Sequence, residues 1–459
     1  MKGSAIGRFS LGVAAAALTF GAAGALAGAR ADGLQVDVSM AGGTQSEATI
    51  TIDPTNSQVL LAGSNTHRQL RTFAYASTDG GATWRTQAPP MPAGFRLASD
   101  PIAAIDRTGR QYFGSIYIEA AEDNPRLEVF VATRPNAASP WTMPARGVES
   151  GSTALADKPS IAVDNSPSSP FPNRVYVAWS RYARGASTIV IAHSDDGAAT
   201  WSAPVAVSDF GRRFESYSSV AVGPTGTVYV AWWDANGNGI FVDRSTDGGA
   251  TFGRDVRIDP VRGHSRCHPP GIPIAAQPTN CVRPNPIVSV DDSAGRFAGR
   301  VYVTYGDTGA GRDQDVFVAA YDPTLRPLFV RQRIAGAPSR FRSDQFWPAS
   351  AVDASTGIVW TCFYDTADRR RRRTFFSCAR STDGGVRWTR PVRAATVPSN
   401  ENARGADTKR HGFHREYGDY EGLAVANGVA HPIWTDSRRL RSLQEEIYTT
   451  TLSAASFAR

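Results

Sequence analysis

Short apolar runs alternate with polar residues along most of the chain, at the period of two that sends successive side chains to opposite faces of a strand. Runs such as Val175-Tyr176-Val177-Ala178-Trp179, Val228-Tyr229-Val230-Ala231-Trp232 and Val301-Tyr302-Val303-Thr304-Tyr305 recur, each preceded by an alternating run that closes on a small residue, an aliphatic and usually Asp. Those closures fall at Asp53, Asp106, Asp164, Gly223, Asp291, Asp353 and Ala426, seven copies at roughly sixty-residue spacing, which is the mark of a propeller or solenoid. Each unit supplies a first, second, third and fourth strand. Two of the turns ahead of fourth strands, Arg134 to Trp141 and Asp322 to Leu328, carry only a degenerate turn signal, and fourth strands are expected after them. The last unit runs out of chain, so Leu34-Gln35-Val36-Asp37-Val38 is expected to complete it and close the ring. The prediction is an all-β propeller of seven four-stranded blades; six blades is the alternative, with one unit as an insertion.

Four turns between third and fourth strands share one octet. Ser77-Thr78-Asp79-Gly80-Gly81-Ala82-Thr83-Trp84 returns at Ser194 to Trp201, Ser245 to Phe252 and Ser381 to Trp388. An Asp carboxylate can accept the N–H groups of such a turn, Gly takes positive φ without strain, and the aromatic residue anchors the returning strand. The octet resembles the Asp-box, or BNR repeat, of sialidases and related β-propellers, and through the repeats the likeness runs over essentially the whole mature chain. It implies a structural role for Asp79, Asp196, Asp247 and Asp383. It also implies a glycosidase of exo-α-sialidase type, in which a Tyr with a carboxylate partner is the nucleophile. The chain departs from that family where its substrate is held. The opening reads Gln45-Ser46-Glu47-Ala48-Thr49-Ile50, with Glu47 where an Arg is wanted, and Ser64-Asn65-Thr66-His67-Arg68 lacks the expected acid/base Asp. Only Phe95-Arg96-Leu97-Ala98 echoes the family's opening motif, and it follows the first octet.

Antiparallel order puts the starts of first strands, the ends of second strands and the starts of third strands on one face, with the octets on the other. Six residues back from each first-strand closure stand Glu47, Asp100, Lys158, Tyr217, Asn285, Trp347 and Tyr420. Carboxylates for proton transfer, polar groups for hydroxyls and aromatic faces for a pyranose ring are what a sugar site requires. A polar mouth of a water-filled channel is the plainer reading. A second column near the ends of second strands reads Asn65, Tyr117, Arg181, Asp234, Asp307, Asp365 and Asp436, either turn-formers or a ring of acids that orients hydroxyls, pairs with arginines or holds Ca²⁺. Arginines crowd the loops beyond: Arg68, Arg71, Arg181, Arg184, Arg312, the run Arg369 to Arg373, Arg438, Arg439 and Arg441. Forked guanidinia match carboxylate, sulfate and phosphate, so the rim suggests an anionic glycan, or else a solvated loop. His411 to Gly422 enters the last unit and brings Glu416, Tyr417, Asp419 and Tyr420 towards the mouth. The candidate acid/base is Glu47 or Asp100. Tyr417 or Tyr420 with Glu416 stands on the nucleophile side.

Lys2 and Arg8, an uncharged apolar run from Leu11 to Leu26 and small residues to Ala31 read as a secretory signal peptide over 1–31, leaving 32–459 as a single propeller domain, extracellular or periplasmic. The net charge is +7, almost all from arginine, since the lysines are Lys2, Lys158 and Lys409. Four cysteines in an exported chain pair naturally as Cys267 with Cys281 and Cys362 with Cys378. A metal site from His264, Cys267, His268 and Cys281 is the alternative for the first pair. Neither a cofactor nor a nucleic-acid partner is indicated, and no membrane insertion; a monomer is expected. Three functions remain open: a sialidase-like hydrolase of an acidic or decorated glycan, a polysaccharide lyase, and a non-catalytic propeller that binds glycan or protein.

Overall fold

The computed structural model describes residues 33–119, 126–209, 213–236, 239–262, 267, 270–309, 313–334, 342–403, 416–439 and 444–458. The signal-peptide segment, His264, His268, Arg312, Arg441 and the stretch from His411 to Arg415 lie outside the described residues.

Seven antiparallel sheets stand around a central axis, and their first strands touch in cyclic order from the first blade to the seventh and back. The blades begin with Gln45–Asp53, Leu97–Ile105, Leu155–Val163, Glu215–Val222, Ile287–Val290, Gln345–Val352 and Gly422–Ala426. The second strands, Val175–Ala183 and Val228–Asp234 among them, are buried on both faces, which is why they read as near-continuous apolar runs. The ring closes as expected. Val36 and Asp37 pair with Thr449 and Tyr448, so the N-terminal strand completes the seventh sheet. Helix is confined to one turn at Ala455–Phe457 among the described residues, and none is long and apolar enough to cross a membrane.

The two degenerate turns form where expected. In the second blade Ala138 and Ser139 turn onto the Asn136 side chain, and the strand that should follow is reduced to an isolated bridge between Thr133 and Thr142. In the fifth, the strand is Pro327–Arg333. Asp322 accepts the N–H groups of Thr324 and Arg326 at 2.8 and 3.0 Å, which makes 322–326 a turn.

The octets form one repeated hydrogen-bonded knot. In the first, Ser77 Oγ donates to Asp79 Oδ1 at 2.8 Å and accepts Gly81 N–H at 2.9 Å, while Asp79 takes the Thr83 N–H at 2.9 Å and its hydroxyl at 2.6 Å. Trp84 Nε1 donates back to Gly81 O at 3.0 Å, tying the indole to the turn. The fifth octet position, the second of the two with positive φ, is Gly81 in the first copy but Ala198 in the second, at φ 69°. These knots lie on the face opposite the first-strand starts.

Both disulfides are present. Cys362 and Cys378 bridge directly paired strands of the sixth blade. Cys267–Cys281 removes both thiols from the metal reading and anchors a small extra hairpin, Ile272–Ile274 with Gln277–Val282, between the fourth and fifth blades.

Candidate functional site

The column read from the sequence has a shared and costly backbone geometry. Glu47, Asp100, Lys158, Tyr217, Asn285 and Trp347 all have positive φ, from 42° to 59°. None is glycine, and a left-handed conformation costs a side-chain-bearing residue on the order of 1–2 kcal/mol. Pairing registers explain it. In the first blade Ser46 faces Asn65 and Thr49 faces Gly63, so Glu47 and Ala48 together oppose Ser64 alone. The same two-against-one step occurs at Asp100-Pro101, Lys158-Pro159, Tyr217-Ser218 and Trp347-Pro348. Each is a β-bulge in the innermost strand, a device that re-aims a side chain. Four column residues, Asn285 included, are followed by proline. Proline inside an inner strand is tolerated at bulges, so that pattern was the available signal for the geometry. Tyr420 differs, since in the seventh blade the positive φ falls on Gly418 (86°), whose missing Cβ leaves room for Glu47.

The re-aimed side chains meet at one ammonium. Lys158 Nζ lies 2.9 Å from Asp419 Oδ2, 3.2 Å from Asp100 Oδ2 and 3.4 Å from Glu47 Oε1. The rings of Tyr217 and Tyr420 stand 5.6 and 5.5 Å from it. Asn65 Nδ2 donates to Glu47 Oε2 at 2.5 Å and its Oδ1 accepts Asp100 N–H at 2.9 Å, coupling the first two bulges. Trp347 stacks on Tyr217 with centroids 6.4 Å apart. Asn285 is buried, and its Nδ2 has no partner among the described residues.

The acids are driven apart electrostatically. Burial pushes the Glu47 carboxyl well above its ordinary range; Lys158 opposes this, while the Asp100 and Asp419 charges and a hydrogen bond with Asp100 reinforce it. Burial also disfavours an ionised Asp419, but Lys158, Arg283 and hydrogen bonds from Lys158 and Tyr217 outweigh it and hold that carboxylate below the usual range. Burial opposes the Lys158 charge too, and the three carboxylates outweigh it and lift its pKa well above the ordinary value. The Tyr420 hydroxyl is pushed up by burial and by Asp100 and Glu47. Thus the pKa of one carboxyl is pushed up and that of another down beside the same cation. Such separation is the usual basis of acid and base roles.

Residues outside the column also build the mouth. Arg283 Nη1 reaches Asp419 Oδ1 at 3.5 Å and Asn280 Nδ2 reaches the same oxygen at 3.4 Å. Gln277 Oε1 accepts Trp347 Nε1 at 3.1 Å and Tyr417 N–H at 3.3 Å. All three belong to the disulfide-anchored hairpin and the segment just after it. The Cys267 and Cys281 spacing marked that loop, but the sequence did not show that it folds over the mouth. Glu416 lies beside it, buried, with its carboxyl raised to about 7 by desolvation and by Asp419.

Tyr417 is placed elsewhere. It is fully buried, 4.3 Å from the Tyr364 ring and 5.7 Å from Phe346, and accepts a hydrogen bond from Thr374 Oγ1 at 2.8 Å, so it packs the wall behind the mouth. Most of the second column likewise serves local anchors. Arg181 pairs with Glu149 at 2.7 Å, Asp234 with Arg213, Asp307 with Arg331 at 2.7 Å and Asp436 with Arg438 at 2.6 Å. Asp234 and Asp436 also accept the N–H two residues on, the local turn chemistry expected of them. Asp365 is buried, and Arg68 is exposed on the rim. Among the described residues no group of three or more His, Cys, Asp or Glu is arranged to hold a metal ion. In the acid cluster the central position belongs to Lys158.

Below the cluster the channel widens into a cavity of about 250 Å³, lined by Lys158, Tyr217, Asn285 and Tyr420 and, further along the first strands, by Ile50, Ile161 and Val220. The mouth therefore joins a polar, charged end to an apolar shaft.

No family model matches the chain, and no curated protein matches it. Solved structures with a similar course include a protein of unknown function from Dyadobacter fermentans, 14% identical, TM-score 0.49, covering 73% of this chain and 94% of that one. A Hadza microbial sialidase is 13% identical with TM-score 0.46, covering 87% of this chain and 77% of its own. An α-L-arabinofuranosidase from Fusarium graminearum is 10% identical with TM-score 0.49, covering 80% and 97%.

Proposed function

We propose that the chain is an exported glycoside hydrolase that cleaves an acidic or otherwise decorated glycan at the channel mouth. The observation that carries this reading is the run of six strained non-glycine residues at equivalent positions, five of them polar or ionisable and five of them at β-bulges. Strain repeated around a ring and aimed at one point is better explained by a site than by packing, which glycine would satisfy without strain.

In the proposed mechanism Glu47 is the acid. Its retained proton passes to the glycosidic oxygen as the C–O bond breaks, and the Asp419 carboxylate closes on the anomeric carbon to give a glycosyl ester. Water then attacks that carbon, Glu47 takes the water's proton, and Asp419 leaves as carboxylate. Both carboxyls touch the Lys158 ammonium, at 3.4 and 2.9 Å, which keeps those oxygens closer than the roughly 6.5 Å at which inverting pairs begin. Retention of configuration is the expected outcome, to be read from the product. Asp100 stands in hydrogen-bonding reach of Glu47, and Tyr217 and Tyr420, which line the cavity, offer ring faces to the sugar, with Trp347 buried behind Tyr217. Lys158 and Arg283 keep Asp419 ionised between turnovers.

A recognition propeller is the second reading, favoured by the engagement of all three mouth carboxylates with Lys158. Residues 32–459 incubated with a panel of acidic and neutral glycans, with products followed by proton NMR, decide between them. A released sugar of retained anomeric configuration, lost in Glu47→Gln, supports the hydrolase. Unsaturated products absorbing in the ultraviolet would replace it with a lyase, and binding without any product would leave the recognition propeller.

A further inference from the structure

We propose that the loop between strands Val359–Thr366 and Thr374–Ser381 is a rim subsite for sulfate or carboxylate groups of an anionic glycan. The loop carries Arg369 to Arg373 on the face of the channel mouth. Five adjacent arginines in a solvated loop would splay apart, yet this one is held from within. Both Asp368 oxygens are turned to the backbone: Oδ1 accepts the N–H of Arg370 at 2.8 Å and of Arg372 at 3.3 Å, and Oδ2 that of Arg373 at 2.9 Å. Ala367 N–H donates to Arg373 O at 2.8 Å and closes the base of the loop. Arg371 takes the strained position, at φ 52°, and its guanidinium is spent on Asp344 at 3.0 Å.

The other four arginines are exposed and surround a cleft of about 350 Å³ whose remaining lining is Asp368, Asn400 and Asn402. Among the described residues Asp368 is the one acid that lines the cleft beside these arginines, and its oxygens are already committed to N–H groups, so the lining carries net positive charge. Forked guanidinia fixed on a tethered loop suit oxyanions, and amides beside them suit hydroxyls. Among the described residues the cleft has no aromatic lining on which a nucleobase would stack, and its arginines and amides suit a charged sugar. It is also joined to the mouth. Asn402 Nδ2 donates to Ala275 O at 2.8 Å, in the turn of the hairpin that carries Gln277 and Asn280 over the active centre. A chain anchored by its anionic groups at the cleft would pass beside that hairpin. This deepens the hydrolase reading, and rests on it only for the mouth being where such a chain is cut.

Binding is tested apart from turnover, by calorimetry with heparin-derived oligosaccharides, oligogalacturonate and neutral dextran fragments of matched length. The rim variant is R369Q/R370Q/R372Q/R373Q, with Arg371 retained because Asp344 holds it. The control R85Q/R254Q/R387Q/R390Q removes the same charge from exposed residues in and after the octets. We expect the rim variant alone to weaken anionic oligosaccharides by at least about tenfold, with dextran unbound throughout. Heparin fragments binding without oligogalacturonate would make sulfate the ligand, and the reverse carboxylate. Equal loss in the control, no loss in the rim variant, or equally tight binding of single-stranded DNA of matched charge would overturn the proposal. Should the fourfold variant fail to fold, R370Q/R372Q carries the same comparison. Anion binding without turnover would sustain the subsite and sink the hydrolase; turnover of glycans unaffected by the rim variant would do the opposite.

Discussion

The two faces of the ring place aspartates and glutamates in opposite circumstances. At the octets, one solution is written four times. The carboxylates of Asp79, Asp196, Asp247 and Asp383 are near solvent and saturated with short hydrogen bonds. Asp247, for example, takes the Thr251 N–H at 2.9 Å and its hydroxyl at 2.5 Å, and hydrogen bonds outweigh what burial it has to bring its pKa down to about 2. At the mouth one backbone solution, the bulge, recurs with a different side chain each time, and Glu47 is buried and pushed the other way. Repeated geometry with repeated chemistry is structural economy. Repeated geometry with individual chemistry is how a ring of equivalent positions assembles one site.

The comparison breaks most sharply if the two kinds of acid are exchanged in effect. Glu47→Gln should lower turnover by roughly 10²–10⁴-fold, the usual contribution of a positioned proton donor, with the melting temperature nearly unchanged. Asp247→Asn should leave turnover intact. Lys158→Met is the largest stability change expected. It leaves Glu47, Asp100 and Asp419 buried without their shared cation, and denaturant titration should show a loss of about 3–5 kcal/mol. A reading of under about 1 kcal/mol would mean those carboxyls are protonated together or reach water.

Smaller effects sharpen the contrast. Asp247→Ala removes the acceptor for the Thr251 N–H and should cost about 1 kcal/mol, and the same change at Asp79 should add to it, since the two octets share no partner. The faces should also differ in pH response. Glu421 and Glu446 are raised to about 8, chiefly by burial, so the native state binds their protons more tightly than the unfolded chain does. Unfolding then releases protons, and stability falls as pH rises from the ordinary carboxylate range through about 8. The lowered octet aspartates act oppositely: their stabilisation is present above the unfolded carboxylate pKa and is lost as acid protonates them, towards pH 2 for Asp247. Melting curves across pH should therefore peak in the mildly acidic range, and a midpoint that rose steadily to pH 9 would contradict the burial of Glu421 and Glu446.

What was legible in the sequence follows the same division. Alternation and spacing gave the seven units and the ring closure, because each blade must bury both faces of its second strand and pair its edges. The counting rule that found Glu47, Asp100, Lys158 and Tyr217 worked because the bulge occupies the same register in each first strand. The partners across the mouth were not legible. Arg283, Asn280 and Gln277 reach it from a hairpin that no repeat contains, and Asp419 Oδ1 meets Arg283 across 136 positions of chain. Tyr417 illustrates the converse: a Tyr next to Glu416 satisfied the motif chemistry, but its ring packs against Tyr364 and Phe346. Strand-end aspartates such as Asp307 could be placed on the right face without showing that arginines already hold them.

The ring is proposed to divide into a catalytic mouth and structural octets. The most direct test measures binding and product formation together, on one glycan panel, for the wild type, Glu47→Gln and Asp79→Asn. Binding is expected in all three, product in the wild type and Asp79→Asn, and none in Glu47→Gln. Product formation undiminished in Glu47→Gln would contradict it.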